Sequence, residues 1–224
     1  MQTYEVEIKA LLGSSEKADE VRAKLKNVDP ACKLVSKNKQ LNHYFVGGAL
    51  ENLPEVVRPH LHEEAALRLE DIATKAQEFS VRTREKDGQI LFVVKASVGA
   101  DTSANGVARI EFEETVEMPL DQLDALILSA GFTYQAKWSR EREEYFCRGF
   151  NVTLDKNAGY GWLAEFERVI EDASKVDDTR KEIAAFMDSI GVLELPQERL
   201  ERMFSYYNAH WQDYYGSDKI FTIE

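Results

Sequence analysis

The chain has 224 residues, 44% of them hydrophobic and 30% charged, and a formal net charge of −12. That length supports one sizeable core, and the negative balance argues against non-specific binding to nucleic acid or an anionic membrane, because both depend on a positive surface field. No run of 18 or more apolar residues occurs and the N-terminus shows no basic region followed by an apolar core, so neither a membrane span nor a signal peptide is indicated and a cytoplasmic protein is expected.

In chain order, Tyr4 to Ala10 alternates with period two, placing Glu5, Glu7 and Lys9 on one face of a strand and Tyr4, Val6, Ile8 and Ala10 on the other. Gly13-Ser14-Ser15 is a turn able to cap a helix over 15 to 28, with Val21 and Leu25 at helical spacing and Asp29-Pro30 as its stop. The two cysteines, Cys32 and Cys147, have neither metal-ligand spacing nor a disulfide framework around them and are expected as reduced thiols. A second strand is read over 41 to 46, with Asn42 and Tyr44 on its polar side, closed by Gly47-Gly48. From 53 to about 77 the pattern is helical, with Leu61, Ala65, Leu69 and Ile72 in one stripe and Pro59 as a break. His60 and His62, two residues apart, fall on different sides of a helix and read as surface residues rather than metal ligands.

Residues 79 to 85 and 89 to 96 flank Lys86-Asp87-Gly88 as a hairpin. Arg82 and Arg84 share a face, and Lys95 lies on the polar side of the return strand. A loop over 99 to 106 leads to a strand over 107 to 117, where Arg109, Glu111 and Glu113 alternate with apolar residues. A short amphipathic helix over 119 to 130 stops at Gly131, and a long strand over 132 to 147 carries Arg140 and Arg142 on one face. Strands follow at 151 to 155, ending on Asp155, and around Glu165-Phe166-Glu167. Helices are expected over 177 to 189 and 197 to 214, with an aromatic-rich end.

On the polar faces of these eight strands, basic Lys9, Arg82, Arg84, Lys95, Arg109, Arg140 and Arg142 are balanced by acidic Glu5, Glu7, Glu111, Glu113, Asp155, Glu165 and Glu167, while the opposite faces are apolar. A flat sheet, solvated on one side and covered by helices on the other, accounts for this pattern. Eight antiparallel strands also suffice to close a barrel, and a lumen lined by such charges must then be wet, cross-paired or occupied by a polyanion with divalent cations. Arginine suits bidentate phosphate contacts, carboxylate oxygens suit Mg²⁺ or Mn²⁺, and no His or Cys cluster offers a softer site.

The series resembles the CYTH superfamily, the triphosphate tunnel metalloenzymes, which includes class IV adenylyl cyclases, thiamine triphosphatases and inorganic triphosphatases. Glu5-Val6-Glu7-Ile8-Lys9 is similar to the family's E-x-E-x-K signature, and the likeness continues through Tyr44, Arg82-Thr83-Arg84, Lys95, Arg109 with Glu111 and Glu113, the basic pair before Tyr145, and Leu154-Asp155 followed by Gly161 and Glu165-Phe166-Glu167. The resemblance implies an α+β fold, an eight-stranded antiparallel β-barrel with flanking helices over 1–174 and a C-terminal helical extension over 175–224 packed on the same domain.

It also implies that Glu5, Glu7, Glu165 and Glu167 hold Mg²⁺ or Mn²⁺ with help from Asp155 and Glu111. Lys9, Arg82, Arg84, Lys95, Arg109, Arg140 and Arg142 would then grip a triphosphate, and Glu5, Glu7, Glu165, Glu167 and Lys9 would carry the chemistry. The implied activity is a metal-dependent triphosphatase acting on tripolyphosphate, thiamine triphosphate or ATP, as a monomer or homodimer. The alternatives are a class IV adenylyl cyclase making cyclic AMP and pyrophosphate, and a binding module without turnover. Lys137 rivals Arg140 for the late basic position, and either the long segment over 47 to 78 or the tail beyond 175 is a candidate lid or plug.

Overall fold

A computed structural model describes residues 4–98 and 109–223. The elements are β1 (Tyr4–Gly13), α1 (Ser15–Val28), β2 (Lys33–Val46), α2 (Leu53–Val57), α3 (Glu63–Lys75), β3 (Ala76–Lys86), β4 (Gln89–Val98), β5 (Arg109–Thr115), α4 (Leu120–Ser129), β6 (Thr133–Cys147), β7 (Phe150–Asn157), β8 (Gly161–Ile170), α5 (Val176–Ser189) and α6 (Gln197–Tyr214). The eight strands form one antiparallel sheet in the order β1-β8-β7-β6-β2-β3-β4-β5. Strand count, antiparallel pairing and the helical C-terminus match the expectation. Closure does not: the hydrogen-bonded order ends on β1 and β5, so among the described residues the sheet is open. On the outer edge of β1, the carbonyl of Lys9 accepts instead from the backbone N–H of Leu195 at 2.7 Å, so the α5–α6 connection protects the edge that a closing strand would take.

The chain divides into two compact units, residues 1–39 with 139–224, and residues 40–138, with β2 and β6 each running from one into the other. In the first unit, β1 pairs with β8 so that Glu7 faces Glu167 and Lys9 faces Glu165, and β8 pairs with β7 so that Glu165 faces Thr153 and Glu167 faces Asn151. The alternate residues Val6, Ile8, Ala10, Val152, Leu154, Ala164 and Phe166 are buried. Helices α1 and α5 cover them, α1 through Val21 and Leu25 and α5 through Ile183, Phe186 and Met187. Phe186 stacks on Phe150 at 5.1 Å and meets Phe166 edge-on at 6.0 Å, and each such buried ring contributes on the order of 1.5–3 kcal/mol. The start of α1 is fixed by Ser14, whose hydroxyl accepts from the Lys17 backbone N–H. The expectation of two reduced thiols is overturned: Cys32 and Cys147 are brought together as a disulfide, with Cα atoms 4.5 Å apart.

The second unit has its own core. Phe45, Val81, Phe92, Val94 and Phe112 point to one side and are covered by Leu53 and Val57 of α2, Leu69 and Ile72 of α3, and Leu123 and Ile127 of α4. The segment over 47 to 78, considered above as a lid, is therefore the apolar cover of this core. Pro59 does interrupt its helix, in a single 3₁₀ turn over Arg58–His60. Strand β2 begins at Lys33, eight residues before the expected start at 41, because its first half exposes Leu34 and Val35 and so lacks the in-out alternation that marks a half-buried strand.

Candidate functional site

In the first unit, the cross-strand pair Glu7 and Glu167, together with Glu5, places three carboxylates with oxygens all within 4.8 Å of one another. Glu5 and Glu7 are exposed and Glu167 is half-buried. Desolvation, helped by the neighbouring Glu5 and Glu165 and opposed by a hydrogen bond from Asn151, pushes the Glu167 carboxyl up to about 7. Three converging oxygen donors, with a repulsion that a cation would relieve, fit a hard divalent ion.

One step further along the same face the charges alternate in sign. The Lys9 ammonium lies 2.5 Å from Glu7 and 3.3 Å from Glu165. Burial works against its charge, but Glu165 and Glu7 outweigh burial and hold its pKa above the ordinary lysine value. Glu165 also accepts from Arg142 at 2.8 Å. Burial raises the Glu165 carboxyl, yet the charges of Lys9, Arg142 and Arg140 bring it down to about 2. Asp155, only 1% exposed, accepts two hydrogen bonds from Arg142, at 2.7 and 2.6 Å, and one from Arg140 at 3.3 Å.

The acids expected to act together as metal ligands thus occupy two environments. Glu5, Glu7 and Glu167 form a carboxylate cluster, whereas Glu165 and Asp155 are paired with Lys9, Arg140 and Arg142. Lys137, the rival of Arg140, goes elsewhere: its ammonium lies over the Tyr134 ring at 4.1 Å and 3.6 Å from Asp124.

The second unit carries the other basic residues. Arg84 donates through Nε to the Asn42 side-chain carbonyl at 2.7 Å and pairs with Glu113 at 2.9 Å. Arg82 lies over the Tyr44 ring at 4.6 Å, and its Nε is buried without a hydrogen-bond partner among the described residues. An orphaned guanidinium N–H is costly to bury and is satisfied by an anionic oxygen. Lys95 is half-buried on β4, opposite Ser80 on β3 and Glu111 on β5. Arg109 and Glu111 take their places on β5, but their side chains lie outside the described residues, as does the loop over 99 to 106.

Apart from Asn42 and Tyr44, sequence reasoning passed over a row of neutral polar residues beside these charges. Asn151 donates to Glu167 at 2.8 Å and to Glu144 at 3.0 Å, and Thr153 donates to Glu165 at 3.4 Å. In the first unit Asn38 donates to Ser36 and Ser36 to Glu144, while in the second Asn42 donates to Gln40. Their signal was period two, Ser36-x-Asn38-x-Gln40-x-Asn42-x-Tyr44 and Asn151-x-Thr153-x-Asp155, uninterrupted by any apolar residue on that face.

The model of the CYTH domain matches residues 3–199. The chain belongs to the CYTH domain family. Among solved structures, it is similar to a candidate adenylate cyclase from Vibrio parahaemolyticus, with 16% identity, 92% of this chain and 99% of that chain covered, and a TM-score of 0.59. It is also similar to proteins from Pyrococcus horikoshii OT3 (18% identity, 87% of this chain and 94% of that chain, TM-score 0.57) and Pyrococcus furiosus (16% identity, 87% and 93%, TM-score 0.57). At these identities the likeness is one of fold. No match is found among curated proteins. Membership in the CYTH family supports triphosphate-processing chemistry, and no helix among the described residues is long and apolar enough to cross a membrane.

Proposed function

We propose that this CYTH protein is a divalent-metal-dependent triphosphatase that hydrolyses an inorganic, thiamine or nucleoside triphosphate. The observation that carries the reading is the carboxylate cluster of Glu5, Glu7 and Glu167 on the same face as Lys9, Arg140 and Arg142. Anion binding alone needs no such cluster of acids beside the bases.

Glu5, Glu7 and Glu167 would hold Mg²⁺ or Mn²⁺, which when bound supplies Lewis acidity toward phosphoryl oxygens and water. Lys9, kept protonated by Glu7 and Glu165, presents a permanent positive charge to the phosphate chain. Glu165, at about 2, is too weakly basic to take a proton efficiently near neutral pH. Its role in this reading is to position Lys9 and Arg142. Asp155 does the same for Arg140 and Arg142, whose pairing fixes two guanidinium groups on one face. Within the second unit, Arg82 beside the Tyr44 ring and Arg84, held by Asn42, offer guanidinium donors suited to phosphate oxygens. Water attacks the terminal phosphorus, the bridging P–O bond breaks, and orthophosphate and the diphosphate leave. The fixed positive groups stabilise the charge that builds on transferred and departing oxygens.

Purified protein incubated with tripolyphosphate, thiamine triphosphate or ATP, with Mg²⁺ or Mn²⁺, should release orthophosphate from at least one of them. Chelator should abolish the release, and Glu7→Gln should lower it by about 10²-fold or more with the fold intact. Cyclic AMP with pyrophosphate from ATP would establish a cyclase instead. Thermal stabilisation by the triphosphates without any product would establish a binding module.

A further inference from the structure

Behind the basic face of the second unit lies a buried polar cluster that plays no part in that reading. Asp124 of α4 is 2% exposed, and its two carboxylate oxygens are shared among three strands. Oδ1 accepts from the Thr83 hydroxyl of β3 at 2.6 Å. Oδ2 accepts from His43 Nδ1 of β2 at 2.6 Å and from the Tyr134 hydroxyl of β6 at 2.7 Å, with Lys137 Nζ at 3.6 Å. His43 and Thr83 are themselves buried, 4% and 0% exposed.

A desolvated carboxylate is not the cheapest way to fill such a space, since an apolar group of similar volume avoids the desolvation cost. What the carboxylate adds is direction. His43 and Thr83 are cross-strand partners, and their neighbours on the opposite face are Asn42 opposite Arg84 and Tyr44 opposite Arg82, the pairs assigned above to phosphate. Arg84 is held by the Asn42 side chain and Arg82 by the Tyr44 ring. A slip of one residue between β2 and β3 would turn both arginines to the core side. The observed register sets His43 and Thr83 side by side, so that Asp124 accepts from both.

We propose that Asp124 is a positioning residue for the arginine grip: by clamping His43 and Thr83 from the back of the sheet, it sets how Arg82 and Arg84 meet the phosphate groups of the substrate. The inference rests on the triphosphatase reading for its ligand, but the clamp is testable without turnover. In nitrogen-15 spectra of the full chain, Asp124→Asn and Thr83→Val should shift the Arg84 Nε–Hε signal and speed its exchange with water, while the Arg142 signal stays in place. Thr83→Ser, which keeps the hydroxyl, should restore the native signal.

By calorimetry in the presence of chelator, Asp124→Asn and Thr83→Val should weaken tripolyphosphate binding by about tenfold. With Mg²⁺, KM should rise more than kcat falls. Unchanged Arg84 signals and unchanged tripolyphosphate affinity in a folded Thr83→Val protein would overturn the proposal, even if Asp124→Asn fails to fold. Wild-type protein that binds tripolyphosphate without hydrolysing it would overturn the triphosphatase reading and leave the clamp standing on the Arg84 signal and affinity.

Discussion

The two glutamates of β8 show how position sets the character of a carboxyl group. Glu165 and Glu167 are two residues apart on one face of one strand, yet the first is held at about 2 and the second raised to about 7. Both are desolvated. Glu165 meets Lys9, Arg142 and Arg140, whereas Glu167 meets Glu5 and Glu165 itself, opposed by a hydrogen bond from Asn151. The linkage for Glu165 has a definite sign. Its folded pKa lies below the ordinary value of 4.5, so its contribution to stability is whole above that pH and fades as pH falls toward about 2. Glu165→Gln should therefore be clearly less stable than wild type at pH 7, and the gap should narrow between pH 4.5 and about 3. Urea midpoints at pH 7, 5, 4 and 3 measure this, and a gap that stays constant across the series would contradict the assigned pairing.

Among the elements, β1 and β8 carry the carboxylate cluster, and their pairing depends on a tight approach at one end. Gly161, the first residue of β8, has φ +71°, and a Cβ there would run into the carbonyl oxygen of Gly13 at the end of β1. The register of this pair shifts between Leu11 and Gly13 at the same place, so the strands are fitted by a bulge that needs a residue without a side chain. Gly161→Ala should cost more than about 1 kcal/mol, seen as a lower thermal midpoint, and a variant as stable as wild type would refute the clash. The extents of α1 and α4 were legible from capping residues and period. The extent of β2 was not, because its first half exposes apolar residues and draws its order from neighbouring strands rather than from its own pattern.

For the molecule as a whole, the C-terminal tail raises the question of whether it blocks the polar face. Its anchors answer from within the first unit. The Gly216 N–H donates to Ser139 Oγ, Asp218 pairs with Lys156, and Phe221 donates to the Gly159 carbonyl. Ser139 and Lys156 are immediate neighbours of Arg140 and Asp155 and so point to the opposite face of their strands. Phe221 packs edge-on against Tyr160 at 5.3 Å and lies 6.5 Å from Tyr207, both of them buried. Deleting residues 216 to 224 should lower the thermal midpoint by exposing this aromatic cluster, and should leave tripolyphosphate affinity and KM unchanged. A change in either would show that the tail reaches the substrate.

The sequence by itself determined which residues share a face, because a strand has a side-chain period of two and Glu5, Glu7 and Lys9, Arg82 and Arg84, Arg140 and Arg142, and Glu165 and Glu167 are spaced two apart on their strands. It likewise determined that oxygen and guanidinium chemistry, rather than thiol or imidazole chemistry, would meet there. Only the tertiary structure decided which of those charges meet. Cross-strand register sets Glu7 beside Glu167 and Lys9 beside Glu165, leaving one acid among carboxylates and another neutralised by bases. The same holds for the contact of Cys32 with Cys147, the cover of the β1 edge by Leu195, and the Asp124 clamp. Each joins residues far apart in the chain whose local pattern is that of an ordinary thiol, loop or helix face, and a local pattern carries no information about its distant partner.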